Sequence, residues 1–246
     1  MSQTSCLVVG SCTGMKDDKG CPKEIKLQDS DFETVARLSQ AEQRAKEWLR
    51  PAGRMYKGAQ HTLMMRGVEH LRTSFSAATF DVAIVSAGYG LISEKRKIAP
   101  YNITFKGKGS PWIRERREVL KIPAKTRKLL SDYQVVFFLL GKEYLTSLDL
   151  PLDPSPGQKF IYFGRADSRP PSPDRDILCI PAGPAEVERY GGAPIIGIKG
   201  AMFELMAKGI CANPERWKSF LVDKTSGTMI KTLDEAKKAR PRSAKG

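Results

Sequence analysis

Apolar residues fall into two rhythms along this chain. Short runs rich in β-branched and aromatic residues recur at 6–10, 80–86, 134–140, 159–164 and 177–181. Apolar at nearly every position and bounded by small or polar residues, they read as strands buried on both faces of a sheet. Between them the spacing turns helical. Phe32, Val35, Leu38, Ala45 and Leu49 recur within 31–50 and stop at Pro51; Leu63, Met64, Val68 and Leu71 form a stripe in a segment starting near Lys57. Further helices are predicted from Pro111, from the Gly197–Gly200 turn, and after Asn213-Pro214, where Trp217, Phe220 and Leu221 share one side. The alternation predicts an α/β fold, a central parallel or mixed sheet with helices on both faces. Residues 1–223 read as one domain and 224–246 as a basic tail, expected to be disordered from about Lys237. The Pro-rich segment 164–176 is expected to be a flap or an edge crossing.

Composition narrows the class. A chain of 246 residues can bury a large core without staples, and no uninterrupted apolar run approaches the length of a membrane span. The first residues lack the basic segment of a secretory signal, so a cytoplasmic location is expected. Five cysteines with no export signal argue against a disulfide framework, and Cys6, Cys12 and Cys21 lack the spacing of a zinc site. With only two histidines, no metal and no cofactor are expected. The net charge of +14 and pI near 9.6 favour a polyanionic partner. Residues 106–128 carry nine Lys and Arg against two Glu, so Lys106, Lys108, Arg114, Arg116, Arg117, Lys125, Arg127 and Lys128 are candidate phosphate contacts. Lys199, in a tight Gly-Ile-Lys-Gly turn, joins them.

Candidate chemistry sits where strands end. The loop after the first strand offers Ser11, Thr13, Lys16 and the pair Asp17 and Asp18, either of which could act as a base or position a water. At Tyr56-Lys57-Gly58 a lysine stands at a helix start, where free N–H groups favour an anion, with His61 one turn on. The strand at 80–86 ends in Ser86-Ala87-Gly88-Tyr89-Gly90. Pro100, Tyr101, Asn102 and Thr104 follow, adding a rigid corner, an aromatic face, an amide and a hydroxyl. Such groups suit a pocket for a flat polar ring.

Three of these stretches, YKG at 56–58, SAGYGLI at 86–92 and IAPYNITFKG at 98–107, resemble in order and spacing the YaaA-like (peroxide stress protein) superfamily over about residues 1–150. Many members carry Asp after Pro-Tyr, where this chain has Asn102. The resemblance implies a uracil-DNA-glycosylase-like α/β core, DNA binding and chemistry on unusual nucleobases.

Together these readings predict a DNA glycosylase that flips a modified base and cleaves its N-glycosidic bond, in the manner of antiviral defence enzymes. Tyr89 or Tyr101 would stack on the ring and Asn102 would read its edge. Asp17 or Asp18 would orient water, and Lys57 or His61 would stabilise the departing base. The alternatives are conversion of a 7-deazaguanine-type base in DNA or tRNA, where Cys12 would act as a thiolate, and a non-catalytic DNA-binding stress protein.

Overall fold

The structure, a computed structural model, describes residues 4–164 and 176–239. Six strands form the main sheet: β1 (Ser5–Ser11), β3 (Thr79–Ser86), β4 (Gly90–Ser93), β6 (Val135–Phe138), β7 (Lys159–Gly164) and β8 (Ile177–Pro181). Their order is β4-β3-β1-β6-β7-β8. All neighbours are parallel except β4, which turns back antiparallel on β3 through Gly88 to Gly90. The sheet is therefore mixed. Two short strands, β2 (Arg50–Pro51) and β5 (Lys97–Ile98), pair separately. Most of the sheet is buried on both sides, as the apolar runs require.

Helices cover both faces. α3 (Ala59–Ser74) and α8 (Ile198–Ala212) pack against each other along their length on one face; α4 (Ser110–Val119), α5 (Ile122–Leu130) and α6 (Lys142–Leu148) cover the other. The seam between α3 and α8 is close because glycine lines it. A Cβ on Gly200 would lie 2.2 Å from the carbonyl oxygen of Gln60, and one on Gly67 would lie 2.7 Å from the Phe203 ring. The Phe203 ring in turn meets Phe137 of β6 edge-on, with centroids 5.4 Å apart.

Local physics corrects two expectations and explains a third. The helix predicted over 31–50 is only α1 (Val35–Arg44), because Thr34 caps its start by accepting from the Arg37 N–H at 3.2 Å, and Val35 is 87% exposed instead of lining the stripe. The basic helix from Pro111 forms as expected and ends just before Lys121, which takes a left-handed φ of 53°, and α5 then starts with Pro123 in its first turn. The segment from Lys224 is no loose tail: α9 (Glu215–Val222) is followed by α10 (Gly227–Lys238), which buries Met229, Thr232 and Leu233. Thr232 and Ala236 lie against Gly209 of α8, so an amphipathic stripe outweighs the basic composition. Against the disorder expected from about Lys237, α10 continues through Lys238; residues 240–246 and nearly all of the expected flap at 164–176 lie outside the described residues. No described helix is long and apolar enough to cross a membrane.

Candidate active-site crevice

The connection after β1 leads to β3 on one side, and the chain then crosses to β6 on the other. Successive crossovers diverge between β1 and β6, and at such a point the carboxyl ends of two strands leave a crevice. Here β1 runs out into Cys12 and Thr13, and β6 into Leu139, Leu140 and Gly141, held alongside by the Leu139 N–H donating to the Val9 carbonyl at 2.9 Å. The start of α3 closes one side, where the Gln60 side-chain amide donates to the Leu139 carbonyl at 2.7 Å.

Cys12 and Tyr144 form the inner wall. The Tyr144 hydroxyl donates to the Cys12 carbonyl at 3.1 Å and lies 3.1 Å from the Cys12 Sγ and 3.2 Å from the Thr104 Oγ1. With its single hydrogen given to the carbonyl, the phenol oxygen accepts from both the thiol and the threonine hydroxyl. Burial, and then the neighbouring Cys12, hold the phenol pKa far above its ordinary value. Lys16 reaches in beside them. Its Nζ donates to the Thr13 carbonyl at 3.2 Å and sits 4.3 Å from the centre of the Tyr101 ring. Burial lowers its pKa, opposed by the charges available at Cys12 and Asp18.

The mouth is built by two loops held together. The Asp17 N–H donates to the Met55 carbonyl at 2.7 Å and the Lys57 N–H to the Met15 carbonyl at 3.0 Å. Thr13 Oγ1 accepts from the Gly58 N–H at 3.2 Å, and a Cβ on Gly58 would lie 2.7 Å from that of Thr13, so only glycine fits beneath this crossing. The Lys57 ammonium pairs with the Asp17 carboxylate at 3.4 Å, both about half exposed; Asp18 pairs instead with Lys26 at 2.6 Å. Ser11 is half-buried at the end of β1, Thr104 half-buried beside Tyr144, and Asn102 exposed.

Several predicted binding residues face inward. Ser86 and Tyr101 are buried, and the Tyr101 hydroxyl joins Ser86 Oγ at 2.7 Å to the Tyr56 hydroxyl at 2.8 Å. Burial raises the pKa of both phenols strongly. Tyr89 is 5% exposed; its hydroxyl accepts from the Ala99 N–H at 3.0 Å and its ring meets Phe32 edge-on at 5.0 Å. Neither tyrosine has a face open to a base. The close approach at Gly88 is to Phe32, whose ring a Cβ there would meet at 2.9 Å, and no ligand is needed to explain it. His61 is 2% exposed, one ring nitrogen 3.0 Å from the Gly53 carbonyl and the other, Nδ1, buried without a partner. Burial depresses its pKa, so the ring is neutral, and it packs edge-on against Tyr56.

The basic stretch divides in the same way. Arg116 is a latch: its Nε donates to the Ala87 carbonyl at 2.9 Å, it pairs with Asp29 at 3.2 Å, and its side chain is 11% exposed. Arg117 donates to the Thr146 carbonyl at 2.9 Å and pairs with Asp149 at 2.8 Å, a carboxylate that Arg127 shares at 3.3 Å. Lys199 is half-buried with its Nζ on the Leu140 carbonyl. Lys106, Lys108, Arg114, Lys125 and Lys128 remain exposed. Lys125 and Lys128 line a groove of about 440 Å³ over Leu7 and Asp81, some five residues and roughly 16 Å of strand upstream of Cys12. Lys106 and Lys108 belong to the crevice side, because Lys108 lies over Trp112, Trp112 against Phe105 and Phe105 against Tyr144.

Sequence reasoning missed Tyr144 and the burial of Lys199. The only signal for Tyr144 was its place three residues beyond Gly141, just past the end of a buried strand. Among the described residues no cluster of three or more His, Cys, Asp or Glu side chains could hold a metal ion. No protein-family model matches the chain, and no curated protein matches it.

Proposed function

We propose that this chain is an enzyme that acts on a modified nucleobase within DNA, on a uracil-DNA-glycosylase-like α/β scaffold, and excises it by hydrolysing the N-glycosidic bond. The observation that carries the reading is that a polar crevice and an exposed cationic loop share one wall: Thr104 and Phe105, which touch Tyr144, lead directly into Lys106-Gly107-Lys108. Phosphates gripped by that loop and by Arg114 bring a flipped nucleotide to the carboxyl ends of β1 and β6. Asp17 is the carboxylate that orients water and offsets the charge of an oxocarbenium-like sugar, and Lys57, its ion-pair partner, stabilises the departing base. Ser11 and Asn102 are the polar groups left to read the base, with the one remaining lone pair of the Thr13 hydroxyl, which already donates to the Met15 carbonyl. The cytoplasm is the compartment where this reading puts it.

A second reading is favoured by one contact. The Cys12 thiol against Tyr144 is the arrangement for a nucleophile that alters a base without releasing it, as a 7-deazaguanine nitrile would require.

Duplexes carrying natural and phage-type modified bases, incubated with the protein and resolved by mass spectrometry, separate the two. Free base together with abasic sites supports excision, an altered base on an intact strand supports conversion, and the absence of abasic sites on every modified duplex defeats excision. Asp17→Asn is expected to abolish release with duplex binding intact; Cys12→Ser is expected to leave release standing.

A further inference from the structure

Lys199 is used by nothing in the reaction just described, yet it stands at the crevice floor. It is the second residue of α8, and its Nζ donates to the carbonyl of Leu140, next to Gly141 at the end of β6. Its backbone has no slack, because Gly200 beside it rests on the Gln60 carbonyl and Gln60 itself is tied to Leu139. Among the described residues the carboxylate whose charge acts on it is Glu143 in the first turn of α6, whose Oε2 lies against Gly141. An amine and a carboxylate thus flank the residues just beyond β6, each held on a helix. Burial lowers the amine's pKa to about 8, against the pull of Glu143, so about a tenth of it carries a free lone pair at pH 7, far more than an ordinary lysine.

We infer that Lys199 gives the enzyme a second activity, cleavage of the DNA strand at the base-free sugar through an imine at C1′. The inference rests on the base-excision reading, which supplies the substrate. The Nζ lone pair adds to the C1′ aldehyde of the open sugar, and the carbinolamine loses its oxygen as water to give a protonated imine. Glu143 takes a proton from C2′ as the C3′–O bond breaks and the 3′ phosphate ester leaves. Water then hydrolyses the unsaturated imine, freeing the amine and an unsaturated aldehyde on the cut end. No oxidant, reductant or metal is consumed.

The test uses a duplex with one preformed abasic site, generated from a deoxyuridine duplex, so base excision is bypassed. Borohydride added during incubation reduces an imine to a stable amine. The full chain is expected to give a covalent adduct that maps to the Lys199 peptide. Lys199→Arg, which keeps the charge but forms no imine, is expected to bind the abasic duplex like the parent while adduct yield falls about tenfold or more; Lys199→Met, checked for folding by circular dichroism, is expected to match it. An adduct undiminished in both variants, an adduct mapping elsewhere, or tight binding by the parent without adduct each overturns the inference while leaving base excision standing. Failure of the parent to bind any duplex is the distinct result that defeats base excision and this inference with it.

Discussion

Tyr56 and Tyr101 share a buried hydrogen bond of 2.8 Å, and its direction is fixed from its far end. Ser86 Oγ accepts from the N–H groups of Gly88 at 3.2 Å and Tyr89 at 2.9 Å. With both lone pairs used, its hydrogen goes to Tyr101, and the hydrogen of Tyr101 goes to Tyr56. The three short motifs at 56–58, 86–92 and 98–107 are thereby one unit: each contributes one hydroxyl to a chain that ties α3's entry loop to the ends of β3 and β5.

That direction predicts an order of cost. Ser86→Ala strands two buried N–H donors, Tyr101→Phe strands one hydrogen and one acceptor, and Tyr56→Phe strands a single hydrogen. At about 1–3 kcal/mol for an unsatisfied buried group, Ser86→Ala is expected to be the most destabilising and Tyr56→Phe the least. Urea unfolding midpoints of the three variants check the order, and a costlier Tyr56→Phe would reverse the assigned direction.

His61 predicts a pH dependence. Burial depresses its folded pKa below the ordinary value of the unfolded chain, near 6.5, so the unfolded state binds the proton first as pH falls. Its contribution is fully present above the unfolded value, declines as pH drops below it, and levels off once the lowered folded pKa is passed. Relative to His61→Gln, the parent is expected to lose more stability between pH 7.5 and pH 5.5. Equal losses measured by urea titration at the two pH values would show that the ring is accessible to protons.

Two glycines separate the α3–α8 seam from open loop. Gly200→Ala places a methyl 2.2 Å from the Gln60 carbonyl, a backbone atom that cannot swing away, and is expected to cost about 3 kcal/mol despite alanine's better helix propensity. Gly14→Ala meets nothing within 4 Å and is expected to be near neutral. Thermal melts of both variants make the comparison.

Arg114 and Arg116 differ by two positions and should differ in kind. Arg114 is exposed, so Arg114→Gln is expected to reduce the salt slope of duplex binding by about one with stability unchanged. Arg116→Gln removes the donor to Ala87 and the partner of Asp29, and is expected to cost roughly 1–2 kcal/mol of stability with the salt slope unchanged. Binding titrations at several salt concentrations read both slopes; an equal drop in each would place Arg116 on the phosphate track after all.

The five strands read from the sequence form at nearly the predicted boundaries, because a strand covered on both faces needs apolar residues at every position, and that demand is local. The loops after β1 and before α3 were legible as candidate positions for a related reason, since strand ends, glycines and helix starts are written in adjacent residues, but their crossing at Thr13 and Gly58 was not. The destinations of polar side chains were not. Local sequence gives Arg114 and Arg116 the same character, and only the passage of Ala87 and Asp29 beside α4 separates a surface charge from a latch. Likewise Tyr101 has the composition of a base-stacking residue, but two other motifs offer it hydrogen-bond partners in the core, and a buried phenol takes them. The sequence by itself determined five of the six main strands, the presence of helices between them and the positive charge, since each follows from burial or from counting. The tertiary structure alone decided that Tyr144 meets Cys12 beyond β1 and that Lys199 reaches the Leu140 carbonyl beyond β6, because that depends on which strands the crossovers make neighbours.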